Sequence, residues 1–434
     1  MGMSSKSITS RDTTDSLKTD PEKTVTTIRR KPSNSKFAGL MAGEVSSPSG
    51  GCEPLAWEDD GVMRSSSSSG VIRTAVIPDD DLPPANDNND LKAPSLHNGR
   101  TLYYHPSLLT NHEATSLQNA AERSGKFEEF DSRCAVIVED GVYQHQPDDD
   151  IDLGSSLATL LHPILTSKIT PWARQMTNIP TLTVADALIR SYDPSEERQD
   201  LSPHYDISTF ATVIIPLNDP NEYEGGLYIQ TGASSNTRLG VPFSSSGDAV
   251  LHRFDVMHGV NVRSGRKRCS LVVWFGENED SVSSKTVPWV KREAGKGVSV
   301  HAAFLYGINA QNGLYGFDKD LEVAKEYYTW ASERGHALSA YCLSLLLFKE
   351  VCTNNDLSKE RQCVLQKKSL VLLKLAAERG LATAQHELGI AYKQGYWGLG
   401  QDVEAARLWL TLASEQGHGL SAEVLGDPSR WRIG

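Results

Sequence analysis

Two segments of this 434-residue chain repeat each other at an interval of 82 positions, and that interval constrains the fold more than any single residue does. Asp320-Leu-Glu-Val-Ala324 returns as Asp402-Val-Glu-Ala-Ala406. Trp330-Ala-Ser-Glu-Arg-Gly-His336 returns as Leu412-Ala-Ser-Glu-Gln-Gly-His418, and Gly313 and Gly316 return as Gly395 and Gly398. A middle copy ends Leu375-Ala-Ala-Glu-Arg-Gly380 and carries an insertion around Cys352 to Gln362. Gly335, Gly380 and Gly417 stand where each helix would end, in a left-handed conformation that glycine adopts without steric cost. Three units of about 40 residues, each a helix pair, predict an α-solenoid, because neighbouring units share one continuous core.

These residues resemble Sel1-like repeats, relatives of the tetratricopeptide repeat, over about residues 300–426. The resemblance puts His336 and His418 in the repeat signature, so both are expected to serve packing and not a metal.

Upstream of a connector at 283–299 the period changes. Leu182, Val184, Ala187 and Ile189 alternate as in a strand and lead to Arg190-Ser-Tyr192. Further strand-like pieces run over 205–217, 226–230, 249–254, 258–262 and 269–275, separated by turn residues, as in a β-sandwich or barrel. Two helices precede them. One starts at Thr110, with Glu113 three residues on as a capping box. The other spans 157–176, and Pro163 and Pro171 are expected to kink or divide it. Residues 99–282 thus read as an α+β domain. Residues 1–98, rich in Ser, Thr, Asp, Pro and Asn, bury too little apolar surface to offset their chain entropy and are expected to be disordered. Within them, Val71-Ile-Arg-Thr-Ala-Val-Ile77 is a short apolar run, and Arg29-Arg-Lys-Pro-Ser33 reads as a solvated basic patch.

Charge and cysteine content narrow the function classes. Lys and Arg total 43 against 55 Asp and Glu, a net charge of -12 without a long basic run, which argues against nucleic acid as a partner. The six cysteines are scattered without a C-x-x-C pair, which speaks against a thiolate zinc site or a disulfide framework and fits a reducing compartment. No apolar run reaches membrane-spanning length and no secretory leader is seen, so no membrane partner is expected. The expected location is the cytosol, with the nucleus also open.

The chemistry concentrates between Pro203 and Phe275. On a strand, His204 and Asp206 leave the same face, with Cα atoms roughly 6.6 Å apart, a spacing that suits two ligands of one metal. A third ligand must come from another strand, and His252 and His258 are the candidates. On a continuous strand they would lie roughly 20 Å apart, so only one could reach the ion. Arg268, ten residues after His258, heads the apolar strand Arg268-Cys-Ser-Leu-Val-Val-Trp-Phe275. A buried guanidinium needs an anionic partner, and a dicarboxylate co-substrate would match its fork. Two His and one carboxylate form the facial triad of non-haem iron oxygenases. Zinc hydrolases share that ligand set but leave the Arg without a role. Trp274 and Phe275 are expected in the core, Asp248 and Asp255 in turns, His252 lining or packed near the pocket, and His145 with Asp148-Asp-Asp150 on a loop able to cover the site.

Residues 99–276 resemble the 2-oxoglutarate- and iron(II)-dependent dioxygenases, and most closely the prolyl 4-hydroxylase α-subunit-like group. The matching pieces are Leu201-Ser-Pro-His204-Tyr-Asp206, Thr212-Val-Ile-Ile-Pro-Leu-Asn218, Glu224-Gly-Gly226, Gly247-Asp-Ala-Val, His258-Gly-Val260 and Arg268-Cys-Ser-Leu-Val-Val-Trp274. The resemblance implies a double-stranded β-helix of jelly-roll type with flanking helices. It implies Fe(2+) on His204, Asp206 and His258, and 2-oxoglutarate on Arg268 with Ser270 and Tyr192. L-ascorbate would keep the iron ferrous. The reaction implied couples decarboxylation of 2-oxoglutarate to hydroxylation of a C–H bond. With the solenoid as a docking surface, the expected substrate is a protein or peptide, and proline the leading target. Another side chain, a small metabolite, or a scaffold with a silent oxygenase fold are the alternatives.

Overall fold

The computed structural model describes residues 53–55, 58–64, 71–77, 100–124, 133–134, 138–139, 142–143, 157–195, 200–235 and 237–426. Two sheets, antiparallel in all but one pairing, make a jelly-roll, and helical repeats follow it. The larger sheet has the order Glu58–Arg64, Val71–Val76, Thr101–His105, Ala249–Arg253, Ala211–Pro216, Arg268–Gly276, Thr183–Tyr192 and Arg133–Cys134. The smaller has the order Glu53–Pro54, Arg238–Gly240, Tyr223–Gln230, His258–Gly265 and Asp200–His204.

The central strands of the larger sheet are buried on both faces. Ile189, Val213, Ile215, Leu251, Leu271, Val273 and Phe275 point to one side, into a core shared with the helices. Tyr192, Ile214 and Val250 point to the other, where they meet Leu227, Ile229, Val260 and Val262 of the smaller sheet. This is the alternation that a pleated strand imposes.

The helix Asn111–Ser124 begins as its capping box predicts. Thr110 Oγ1 accepts from the Glu113 N–H at 3.2 Å, and the Glu113 carboxylate accepts from the Thr110 N–H at 2.8 Å. The 157–176 helix is divided, as its prolines suggest. Leu157–Ile164 passes through a π-helical turn, Leu165–Ile169, into Thr170–Thr177. Pro163 lacks a backbone N–H, and Pro171 sits in the first turn of the last segment, where none is needed.

Three readings need correction. The disorder expected throughout 1–98 does not hold for Val71–Val76, which pairs antiparallel with Thr101–His105. Alternation decides this: Ala75 and Ile77 are buried beside Leu55 while Val76 faces out. The remaining features named in that tail, and His145 with Asp148–Asp150, lie outside the described residues. Next, the strand expected over 205–217 is shorter and starts later. One strand ends at His204, the chain turns, and the next begins at Ala211. Finally, the 283–299 connector carries the helix Pro288–Gly295, whose Trp289 is buried edge-on against Phe210.

The repeats are helix pairs: Val300–Asn312 with Leu321–Glu333, Ala337–Thr353 with Lys359–Glu378, and Ala382–Gln394 with Val403–Glu415. Gly335, Gly380 and Gly417 take φ values of 108, 91 and 86°, the left-handed conformation their spacing implies. His336 is fully buried, and its ring caps the helix Ala337–Thr353 by accepting from the Ser339 N–H at 3.2 Å. No helix among the described residues is long and apolar enough to cross a membrane.

Candidate metal centre

His204 and His258 face each other across the smaller sheet, in register, with ring centroids 4.5 Å apart. Asp206 lies just past the strand end, not on the strand as the H-x-D spacing supposes. Its carboxylate still meets both rings. Oδ1 is 3.7 Å from His204 Nε2, and Oδ2 is 3.7 Å from His258 Nε2. One potential ligand atom from each residue lies within 4.8 Å of the others. Backbone carbonyls fix the tautomers. Nδ1–H of His204 donates to Ser202 O at 3.0 Å, and Nδ1–H of His258 to Val256 O at 3.3 Å, which leaves both Nε2 lone pairs facing Asp206.

Electrostatics prepare the set for a cation. Burial alone would raise the Asp206 carboxyl, but His258, His204 and His252 and a hydrogen bond from Thr212 outweigh it and hold the group down at about 2. Burial, reinforced by His252 and opposed by Asp206, pushes His258 well below the ordinary imidazole value. An ionised carboxylate and neutral imidazoles are the forms that bind metal.

The larger sheet closes the other side of the pocket. Thr212 stands on its central strand with His252 and Trp274 as its cross-strand partners. Thr212 Oγ1 donates to Asp206 Oδ2 at 2.5 Å, and Trp274 Nε1 donates to the same oxygen at 3.1 Å. Trp274, expected in the core, therefore aims the carboxylate. Sequence alone gave no sign of this, because the contact spans 68 residues. His252 packs near the pocket as expected, but its separation from His258 differs from the one a continuous strand would give. The chain turns between Arg253 and His258 and crosses from one sheet to the other, so the two rings lie 4.2 Å apart instead of being spread along one strand. His252 is fully buried, and its Nε2 has no hydrogen-bond partner.

Further along the larger sheet stand Arg268 and Ser270, paired with Tyr192 and Arg190 respectively on the neighbouring strand. All four line the same pocket as His204, Asp206 and His258. Arg268 is 1 % exposed, and its Nε and Nη2 have no hydrogen-bond partner. The Ser270 hydroxyl is buried and equally unpartnered. Such orphaned donors are rare in native interiors and point to a missing acceptor. The Tyr192 ring faces Arg268, with the guanidinium 6.0 Å from its centroid, and the Tyr192 hydroxyl accepts from Arg190 Nη1 at 3.2 Å. Arg190, not singled out in the sequence, adds a second guanidinium whose Nε is buried and unpartnered. Its alternation with Tyr192 was the available signal.

Residues 300–336 and 382–418 match the family model of the Sel1 repeat. Chitin synthase regulatory factor 3 of Schizosaccharomyces pombe (strain 972 / ATCC 24843) is 31 % identical over 112 residues, 26 % of this chain and 11 % of that protein. This chain thus spans about a tenth of the length of the curated relative it matches. Among solved structures, the non-heme alpha ketoglutarate dependent epimerase SnoN from nogalamycin biosynthesis is similar at 19 % identity, with a TM-score of 0.30 over 40 % of this chain and 76 % of that one. A Pseudomonas putida prolyl-4-hydroxylase is similar at 17 % identity, with a TM-score of 0.29 over 40 % of this chain and 91 % of that one. Likenesses at these TM-scores carry no argument about activity or substrate.

Proposed function

We propose that this chain is an iron(II)- and 2-oxoglutarate-dependent oxygenase that hydroxylates a protein, with proline the leading target residue. One observation carries the reading: a two-His, one-carboxylate set converges beside a buried guanidinium with two unpartnered donors. His204, Asp206 and His258 would hold Fe(2+). Arg268 and Ser270, with Tyr192 beside them, would hold 2-oxoglutarate, whose carboxylate supplies the acceptors these side chains lack. When bound, iron and 2-oxoglutarate would supply activation of dioxygen, the oxidant: one oxygen atom would go to the succinate left by decarboxylation and the other to the substrate C–H bond, with ascorbate as the reductant that keeps the metal ferrous.

The protein's own part is orientation and exclusion of water. Thr212 and Trp274 keep both Asp206 oxygens aimed at the imidazoles. The apolar walls Ile214, Leu227, Val260 and Val272 shield the pocket and strengthen each charge interaction inside it. The solenoid supports a protein substrate, since stacked helix pairs offer an extended surface to an extended partner.

The test is release of succinate by the purified chain with iron(II), ascorbate and 2-oxoglutarate, followed by mass spectrometry of candidate peptides. Turnover that is lost in His204→Ala supports the reading. No turnover above background, or turnover indifferent to His204→Ala, refutes it. A second reading, an oxygenase acting on another side chain or on a small metabolite, is favoured by Arg190. With Arg268 committed to 2-oxoglutarate, that guanidinium is left to meet an acidic group. Oxygen gain on a residue other than proline, or on a small acid, would select this reading.

A further inference from the structure

The residue between the two ligands of the H-x-D pair is tied to the solenoid. His204 and Asp206 face the pocket, so the side chain of Tyr205 leaves on the opposite side, into the core shared by the sheet and the helices. There its hydroxyl is 2.9 Å from His301 Nδ1, a contact across 96 residues between groups that are both buried. His301 sits in the first turn of the first repeat helix, Val300–Asn312, which Ser299 caps. The seat is rigid. The His301 ring packs edge-on against His336 at 5.2 Å, and His336 caps the helix Ala337–Thr353. Phe304, one helical turn on, packs 6.2 Å from the Tyr205 ring and 4.8 Å from His336.

Asp206 needs such an anchor because it stands beyond the end of its strand. The sheet ladder that fixes His204 opposite His258 no longer holds its backbone. The turn is secured locally by the Ile207 N–H to Tyr205 O at 3.0 Å and the Thr209 N–H to Asp206 O at 3.2 Å. Those bonds set the shape of the turn. Thr212 and Trp274 hold the Asp206 carboxylate, and on the other side of the turn the contact between Tyr205 and His301 ties its backbone to the solenoid.

We propose that His301, acting through Tyr205, is a positioning residue of the metal centre, so that the first helix of the solenoid is a working part of the oxygenase and not only a docking surface. The inference rests on the metal-centre reading above. It predicts that metal affinity, measured without turnover, responds to a substitution in the solenoid.

The experiment is anaerobic titration of the full chain with Mn(II) alone, following free Mn(II) by electron paramagnetic resonance, with urea unfolding run in parallel. Tyr205→Phe removes one oxygen and leaves the ring, and it is expected to weaken Mn(II) binding about tenfold, the low end for groups that orient metal ligands. His301→Phe is expected to match it. His301→Asn, which keeps a polar atom near the position of Nδ1, is expected to recover most of the loss. Wild-type affinity in folded Tyr205→Phe overturns the proposal, as does an Asn variant that loses as much as the Phe variant, since packing alone would then account for the effect. Wild-type protein that binds no Mn(II), or binds it equally in His204→Ala, overturns the metal-centre reading itself and this inference with it.

Discussion

Replacing Arg268 by Met should make the ligand-free protein more stable while removing its response to 2-oxoglutarate. The guanidinium is almost wholly buried, and Nε and Nη2 meet no acceptor. Each buried unsatisfied donor costs about 1–3 kcal/mol. Methionine is unbranched, of similar length and adaptable, so it can follow the same path beside Tyr192 and Gly226 with little packing strain. After allowance for imperfect packing, a gain of about 1–3 kcal/mol remains. At about 2–4 °C per kcal/mol, thermal unfolding would move up by several degrees. The ligand response runs the other way. Wild-type protein with Mn(II) and 2-oxoglutarate at 100 times its dissociation constant gains about 2.7 kcal/mol by mass action, whereas the variant gains nothing. Thermal and urea unfolding of both proteins, with and without 2-oxoglutarate and without oxygen, read both effects. If Arg268→Met is destabilised by several kcal/mol, as when a buried charge pair is broken, then the guanidinium is satisfied within the fold. If the variant is still stabilised by 2-oxoglutarate, Arg268 does not hold it. Either result refutes the reasoning.

Trp274→Phe and Thr212→Val each remove one hydrogen bond to Asp206 Oδ2. Each should weaken Mn(II) binding by about 10- to 100-fold with little change in fold, read by the same titration and by circular dichroism. A chain beginning at residue 79 should lose the Val71–Val76 strand and the buried Ala75 and Ile77, exposing the edge at Thr101–His105. A lower urea midpoint and concentration-dependent association in light scattering are expected. Burial and the stacked His418 lower His386 to about 4 from its ordinary 6.5. The unfolded chain therefore takes up this proton first as pH falls below 6.5, and stability declines between 6.5 and 4. Because the ring is partly exposed, the loss is on the order of 1 kcal/mol after solvent screening. The urea midpoint of His386→Gln should fall less than that of wild type between pH 7 and 5.

What is local or periodic was legible in the chain. The 82-residue recurrence and its glycines set the helix pairs, since a left-handed helix end is a property of a few consecutive residues. Period-two alternation marked the strands, and the ten-residue step from His258 to Arg268 singled out a guanidinium that the fold leaves without an acceptor. Tertiary structure alone decided the contacts made across long stretches of chain. Extrapolating one strand through residues 252–258 set His252 and His258 far apart. A turn between sheets brings them together, because distance along a strand measures separation only while the strand continues. Val71–Val76 became an edge strand because Thr101–His105 offered it a ladder. Thr212, Trp274 and His252 form one row on the pocket face through pairings between strands far apart in sequence. Tyr205 was not singled out in the sequence. Its contact with the solenoid exists only in the fold, where a helix that starts 95 residues later puts His301 against its hydroxyl, a meeting set by how the solenoid packs on the sheet and by no pattern in the neighbouring sequence.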